Sequence, residues 1–339
     1  DTLINLSQID EAISALTQAR GNGISIETVT QFEEILSRQS LAGSTSLSQG
    51  PTQNQLQSLI DIYSQGAFHH SLELANRLIK QFPSSIKLFN IQGASNAGLR
   101  RFDEAIESYR HALKIKPNYA DAYSNLGNAQ KEKGDLAGAI DSYRQAIKIK
   151  PNYADAHSNL GAALQTKGDL DGAINSYQKA LDLKPDSAGA FNNMGYALQA
   201  KEDLDGAIAK YGWALKIKPD FAEAHVNMGN TLKQKGDLDS AINSYRQALD
   251  SKPNYIAAYV NMADTLREKG DLDGVIDSYR QVLKINPEFA DAYYNIGVVQ
   301  AEEGNLDGAV ENYRHAVKMR PDHLEDFVNM GNTTREKGT

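Results

Sequence analysis

Seven asparagines stand at one recurring position of this sequence, each 34 residues after the one before it. They are Asn125, Asn159, Asn193, Asn227, Asn261, Asn295 and Asn329. A carboxamide carries two N–H donors and one carbonyl acceptor, so a row of them can hydrogen-bond the backbone of an extended peptide without reading its side chains. Asparagine is also a poor helix former, and each use inside a helix costs roughly a few tenths of a kcal/mol. The row therefore predicts a peptide-binding surface.

The alternative is that each asparagine bonds locally, within or between repeats, and was copied along with its repeat. The residue before each asparagine is predicted to be exposed, and its variation argues against copying alone. These neighbours are Ser124, Ser158, Asn192, Val226, Val260, Tyr294 and Val328. Further polar residues follow the row along the same segments, namely Asn128, Asn230, Lys131, Lys233 and Arg267. Such a mixed surface suits an extended segment with some acidic or hydroxyl side chains.

Trp213 is the one tryptophan of the chain and stands where other repeats have Gln, Lys or His. An exposed tryptophan is a possible interface residue, because tryptophan is enriched among the residues that dominate binding energy. The alternative is neutral drift, with the ring lying on its own helix.

Residues for catalysis, metals or cofactors do not form a recognisable pattern. Cysteine is absent, which removes thiol catalysis and cysteine metal sites. His157 and His225 fall at a recurring aromatic position, where packing explains them better than metal binding. The Asp-Leu-Asp segments lack the other ligands of a calcium loop and are predicted to cap helices. The net charge of −8 argues against nucleic acid, and no apolar run is long enough to span a membrane.

The elements that must position these residues repeat with the same period. Eight of the nine prolines are separated by 34 residues, and a fixed period near this length is typical of a solenoid. They are Pro83, Pro117, Pro151, Pro185, Pro219, Pro253, Pro287 and Pro321. The periodicity of apolar residues within each period predicts two helices.

The unit 120–153 carries signals for the start and end of both helices. Asn118 is predicted to cap the first helix, with the Asp121 carboxylate in its first turn. Gly134 is predicted to end this helix in the left-handed conformation, and Asp135 to begin the second helix. Pro151 prevents the second helix from continuing.

The unit resembles the tetratricopeptide repeat in a set of recurring large and small residues. These are Tyr123, Leu126, Gly127, Ala139, Tyr143, Ala146 and Pro151. The small residues allow close approach of the helices, and a single unit cannot bury its apolar face without neighbours. The resemblance implies an all-α fold, a right-handed solenoid (α-α superhelix) of antiparallel helix pairs whose first helices line the inner surface. The asparagine row is similar to the asparagine ladder of the O-GlcNAc transferases.

On this resemblance the chain divides into several parts. Residues 1–36 are expected to form an N-terminal helical segment and residues 37–51 a Ser/Gly-rich linker. Residues 52–85 are a degenerate repeat, 86–323 hold seven repeats of 34 residues, and 324–339 supply the first helix of a further, truncated repeat. The chain begins with Asp1 and stops inside a repeat, so we expect it to be cut at both ends. The lack of a signal-like apolar stretch favours the cytoplasm.

Three functions are compatible with the sequence. The first is a non-enzymatic scaffold that binds other proteins or extended peptides, with no cofactor. The second is a substrate-docking arm of a larger transferase, whose catalytic domain would follow Thr339. The third is self-assembly, in which the helix at 324–338 stacks on another copy or residues 37–55 thread a neighbour's groove, giving an open filament. Nucleic acid and membranes are not expected partners.

Overall fold

The computed structural model describes residues 50–337, and all regular secondary structure in that range is α-helical. The predicted helical segment at 1–36 and almost all of the predicted linker at 37–51 lie outside the described residues. The described helices fall into two compact units, one ending at Ile149 and the other beginning at Lys150.

The first unit contains six described helices. They are α1 (Gln53–Ser64), α2 (Phe68–Gln81), α3 (Ile86–Gly98), α4 (Phe102–Ile115), α5 (Ala120–Lys133) and α6 (Leu136–Ile149). The second unit contains eleven described helices in the same alternation. They are α7 (Ala154–Lys167), α8 (Leu170–Leu183), α9 (Ala188–Ala200), α10 (Leu204–Ile217), α11 (Ala222–Gln234), α12 (Leu238–Ser251), α13 (Ile256–Lys269), α14 (Leu272–Ile285), α15 (Ala290–Glu302), α16 (Leu306–Met319) and α17 (Leu324–Lys337). The odd-numbered helices are the first helices of the pairs, and the even-numbered helices are the second. The predicted all-α solenoid of helix pairs is confirmed as a fold class.

Five of the eight described second helices, α6, α8, α10, α12 and α14, begin at aspartate caps, as the sequence predicts. The carboxylate of Asp135 accepts the backbone N–H of Gly138 at 2.9 Å, and the same bond recurs in the second unit. Gly134 has φ +90°, so its left-handed conformation ends α5 as expected. The predicted Asn118 cap is wrong. The chain turns through Pro117 and Asn118, α5 begins after Tyr119, and no side chain caps it.

Six of the eight described helix pairs are closed by a tyrosine of the second helix that fills the space above a glycine of the first. A Cβ atom added to Gly127 would lie 2.6 Å from Cε1 of Tyr143, whose side chain is fully buried. Ala139 is also fully buried at the same crossing. The close approach predicted from Gly127 and Ala139 is therefore confirmed, and the short turns make the helices of a pair antiparallel neighbours.

Successive pairs pack on one another within each unit. Each second helix contacts the first helix of the next pair, and in the second unit α7, α9, α11 and α13 also contact one another in order. Salt bridges join Lys201 to Asp171 and Lys235 to Asp205, each 30 residues apart, across the outer edge of adjoining pairs. The first helices therefore share one face within a unit. No described helix has the length and apolar character that crossing a membrane requires.

Candidate functional site

The seven asparagines of the row all lie on first helices, and every one of them is half-buried. Within each unit, their shared position places them where adjoining first helices meet. A half-buried carboxamide can hold a contact inside the protein with one group and offer its other group to a ligand.

Several of these asparagines donate to a side chain of the preceding first helix. Nδ2 of Asn125 donates to Oδ1 of Asn90 at 3.1 Å, and Nδ2 of Asn227 donates to Oδ1 of Asn192 at 3.0 Å. On the last described helix, α17, Nδ2 of Asn329 donates to the hydroxyl of Tyr294 at 2.9 Å. In each case the acceptor is 35 residues earlier in the chain. These bonds fix the orientation of the carboxamides.

The acceptors belong to the variable position that precedes the row, which the sequence interpretation took to be exposed. Instead Ser124, Asn192 and Val226 are buried, and Asn192 has a structural role. Their variation therefore does not argue against copying of the asparagine row. Sequence reasoning missed Asn192 and Tyr294 as partners of the row, although a polar residue at a period of 34, shifted by one position, was a signal that could have revealed them.

Asn128 and Asn230 occupy another position of the first helices, and their carbonyl groups are engaged within the protein. Oδ1 of Asn128 accepts the hydroxyl of Tyr143 at 2.7 Å. Oδ1 of Asn230 accepts both the hydroxyl of Tyr245 at 2.8 Å and Nδ2 of Asn261 at 2.9 Å. Burial raises the pKa of Tyr245 to about 12, so this hydroxyl remains a donor at neutral pH.

Three carbonyl oxygens of the row remain available. Within residues 50–337, Oδ1 of Asn125, Asn227 and Asn261 accepts no hydrogen bond, and none of these oxygens is cut off from solvent. Asn295 differs, because its Nδ2 donates to the backbone carbonyl of Asp291 on the same helix at 2.8 Å. Asn125, Asn227 and Asn261 thus combine held N–H groups with open acceptors.

The basic residues near the row are paired with glutamates. Nζ of Lys233 lies 3.0 Å from Oε1 of Glu268, and Arg267 forms an ion pair with Glu302, in both cases across successive pairs. Lys131 lies 3.7 Å from the adjacent Glu132. Their charge is therefore largely compensated, and the surface is less cationic than the sequence suggests.

Trp213 is 49% exposed, and its ring stacks on Phe191 of the first helix of its own pair. The ring centroids are 6.2 Å apart with an interplanar angle of 20°, and Nζ of Lys216 lies 4.7 Å from the indole centroid. The indole ring of Trp213 thus contacts the other helix of its pair as well as its own. His157 and His225 each bring Nε2 to 3.0 Å from a backbone proline carbonyl, which fits packing. No cluster able to hold a metal ion occurs among the described residues.

Helix pairs of constant length, packed through a Gly–Tyr contact and bearing one repeated polar face, define a helical-repeat scaffold. The sequence profile of the TPR repeat matches residues 101–134, 131–168, 166–202, 195–236, 229–266 and 263–304, and that of the tetratricopeptide repeat matches 290–323. The chain belongs to the tetratricopeptide repeat family. Membership implies a protein-binding scaffold, of a fold that is typically non-catalytic, and partners that are proteins or peptides.

A curated relative covers only a small part of the chain. It is a probable UDP-N-acetylglucosamine–peptide N-acetylglucosaminyltransferase, SEC, from Arabidopsis thaliana, 35% identical over 74 residues. The match covers 22% of this chain and 8% of that relative's length. It supports the predicted resemblance to O-GlcNAc transferases at the level of the repeats.

Solved structures support the fold alone. The C-terminal part of a TPR repeat-containing protein from Cytophaga hutchinsonii is 16% identical, with a TM-score of 0.56, over 71% of this chain and 99% of that one. Pilf of Pseudomonas aeruginosa is 22% identical, with a TM-score of 0.52, over 64% of this chain and 97% of that one.

Proposed function

We propose that the protein binds extended polypeptide segments along the face that the first helices share within a unit, with the asparagine row as the main-chain contact. The observation that carries this proposal is the repetition of a half-buried carboxamide at one position in seven successive first helices. A bond to the preceding first helix does not account for this uniformity, because Asn193 and Asn295 make none within the described residues.

The hydrogen bonds of the row support binding of a peptide backbone. Because Nδ2 of Asn227 and Asn261 is already held by the preceding helix, each carbonyl oxygen is fixed before a ligand arrives. A fixed acceptor loses little conformational freedom on binding, which lowers the ordering cost of association. An extended segment presents an N–H group at regular intervals, and these groups can donate to the open oxygens.

The proposal is tested with peptides selected by the wild-type chain from a phage-displayed library of random linear peptides. We expect the double variant Asn227→Ala, Asn261→Ala to bind the selected peptides at least about tenfold more weakly. Two hydrogen bonds between uncharged groups, from peptide N–H groups to the carboxamide oxygens, are lost. Binding is measured by fluorescence anisotropy, and helix content by circular dichroism. Helix content should remain close to that of the wild type.

A matched control removes asparagines from the second helices. Asn175 and Asn243 are exposed and make no described side-chain hydrogen bond, so Asn175→Ala, Asn243→Ala should bind as the wild type does. Equal affinity of the two double variants would mean that the row has a structural role only, and that peptides bind elsewhere.

A docking arm for a transferase is a second candidate, and the match to the SEC glycosyltransferase is the observation that favours it. In this case the same face would bind the protein substrate of a catalytic domain elsewhere in the polypeptide. The open reading frame around this sequence decides the matter. A transferase domain in the same frame would support the docking arm, and a stop codon shortly after Thr339 would exclude a domain there.

Self-association is a third candidate, favoured by the exposure of Phe327 (40%) and Val328 (48%) on α17. An apolar face of this kind can stack on the first repeat of another copy, and repeated contacts of this type give an open filament. Sedimentation equilibrium at increasing concentration tests it. Self-association through this face predicts a mass that rises for the wild type and stays constant for Phe327→Ser, Val328→Ser, whereas a constant wild-type mass excludes it.

A further inference from the structure

The helix α9 differs from every other helix of residues 50–337 in its lack of charge. Its sequence, AGAFNNMGYALQA, contains no Asp, Glu, Lys or Arg, whereas each of the other sixteen described helices contains at least one. On the following first helices the corresponding face carries ion pairs, such as Lys233 with Glu268. Among the described residues of the second unit, ion pairs between first helices therefore occur only after α9, since α7 has Gln165 and Thr166 at the corresponding positions.

The carboxamide of the row on this helix also differs from its neighbours. Nδ2 of Asn193 has no acceptor within the described residues, because the preceding first helix offers Ser158 and Ala162 where other pairs have Asn or Tyr. Oδ1 of Asn193 accepts a long hydrogen bond of 3.5 Å from Asn192, and Oδ1 of Asn192 in turn accepts Nδ2 of Asn227. The chain of three carboxamides thus ends in a free donor at Asn193 and a free acceptor at Asn227.

Tyr196 lies one turn after Asn193 on the same helix and is 51% exposed. Its hydroxyl has no described hydrogen-bond partner. The equivalent position holds Ala162 in the preceding pair and Asn230 in the next, so this ring is an aromatic group that the repeat pattern does not require. Gln199 lies one further turn along the helix and is also uncharged. Its carbonyl oxygen accepts the hydroxyl of Tyr211, and its Nε2 donates to Gln234.

We propose that Asn193 and Tyr196 form the specificity-determining subsite of the peptide-binding face, and that this subsite accepts an uncharged aromatic or proline residue. Nδ2 of Asn193 donates to a backbone carbonyl of the extended segment, while Oδ1 of Asn227 accepts a backbone N–H further along. The Tyr196 ring packs against the side chain or pyrrolidine ring of the bound residue. A charged residue is disfavoured, because α9 offers no counter-charge to replace the water that it loses.

This inference rests on the proposed function, and its test uses the full chain and the same phage-displayed library of random linear peptides. We expect the peptides selected by the wild type to share an uncharged aromatic or proline residue at one position. Synthetic copies should bind Tyr196→Ala and Asn193→Ala about tenfold more weakly and Tyr196→Phe about as well as the wild type, because the ring provides the contact. Val298→Ala, at the equivalent position of α15, is the matched control and should bind within about twofold.

The outcomes separate the two proposals. Selected peptides that bind Tyr196→Ala as tightly as the wild type, or that place a charged residue at the conserved position, would overturn the subsite and leave the peptide-binding face standing. If Asn227→Ala, Asn261→Ala also binds these peptides normally, the asparagine row fails as well. Circular dichroism of each variant excludes loss of folding as the cause, and failure of the wild type to enrich any peptide would refute both proposals.

Discussion

At the residue scale, the contact between a glycine and a tyrosine determines how closely the two helices approach in most of the pairs. In the second unit a Cβ atom on Gly161 would lie 2.8 Å from Cε1 of Tyr177, which is fully buried and cannot move aside. We expect Gly161→Ala to lower the free energy of unfolding by about 1–3 kcal/mol through overpacking. Urea denaturation followed by circular dichroism measures the change.

Gly212 provides the control for this prediction. It lies inside α10, and a Cβ atom there would meet nothing within 4 Å. Gly212→Ala should therefore stabilise the protein by about 0.5–1 kcal/mol, because alanine has the higher helix propensity. If both substitutions stabilise, the close approach at Gly161 does not limit packing. Ala263 holds the position equivalent to Gly161 in a later pair. The tyrosine of that pair, Tyr279, is 3% exposed, whereas Tyr177 is fully buried at 0%.

Trp213 contributes at the same scale through its stack on Phe191. We expect Trp213→Gln, the residue found at the equivalent positions 145, 247 and 281, to reduce stability by about 0.5–1.5 kcal/mol, since an aromatic pair is lost. Lys179→Gln in the preceding pair is the control and should change stability little, because Lys179 is exposed. Unchanged stability of Trp213→Gln would show that the stack on Phe191 does not stabilise the pair.

At the scale of the element, the second helices depend on their aspartate caps more than on their surface ion pairs. Oδ1 of Asp203 accepts the backbone N–H of Gly206 at 2.9 Å, which satisfies a donor that the helix leaves unpaired. We expect Asp203→Ala to cost about 1 kcal/mol. Thermal unfolding measured by calorimetry should show a lower midpoint.

The control lies two residues further along the same helix. Asp205 forms a salt bridge with Lys235, but both side chains are exposed, so Asp205→Asn should cost no more than about 0.5 kcal/mol. A larger loss from Asp205→Asn than from Asp203→Ala would contradict this ranking and give the ion pairs between successive helix pairs the greater weight.

The helices and their closest contacts were predictable because the same residues return at every period. Gly127, Ala139 and Tyr143 indicate a tight crossing, and Gly134 and Asp135 mark the turn between the helices. Such features depend on residues within one pair, where spacing along the chain determines contact.

The partners of the asparagine row were not predictable in the same way. They depend on the register between first helices, and a shift of one residue exchanges a buried acceptor such as Asn192 for a half-buried position. The prediction that Asn118 caps α5 was wrong for a different, local reason. The turn after Pro117 delays the start of the helix until Ala120. The register between first helices is also needed to predict that Glu268 compensates the charge of Lys233.

At the scale of the whole molecule, buried tyrosines recur in the second helices of both units, from Tyr109 to Tyr313. Burial raises the pKa of Tyr245 and Tyr313 to about 12 and moves the pKa of Tyr143, Tyr177 and Tyr211 in the same direction. An unfolded tyrosine has a pKa of about 10. Below that pH the folded and unfolded chains hold the same tyrosine protons, and above it the unfolded chain loses them first, so stability falls.

We therefore expect cooperative alkaline unfolding between about pH 10 and 12, because helix pairs are stabilised mainly by their neighbours. The variant Tyr245→Phe tests this expectation at a single tyrosine. At neutral pH it should be less stable than the wild type by about 1 kcal/mol, since the hydrogen bond to Asn230 is lost. As the pH rises above about 10 this deficit should shrink and then reverse, because phenylalanine has no proton to lose. Urea denaturation across this pH range measures both effects, and a deficit that stays constant with pH would show that the buried tyrosines do not drive alkaline unfolding.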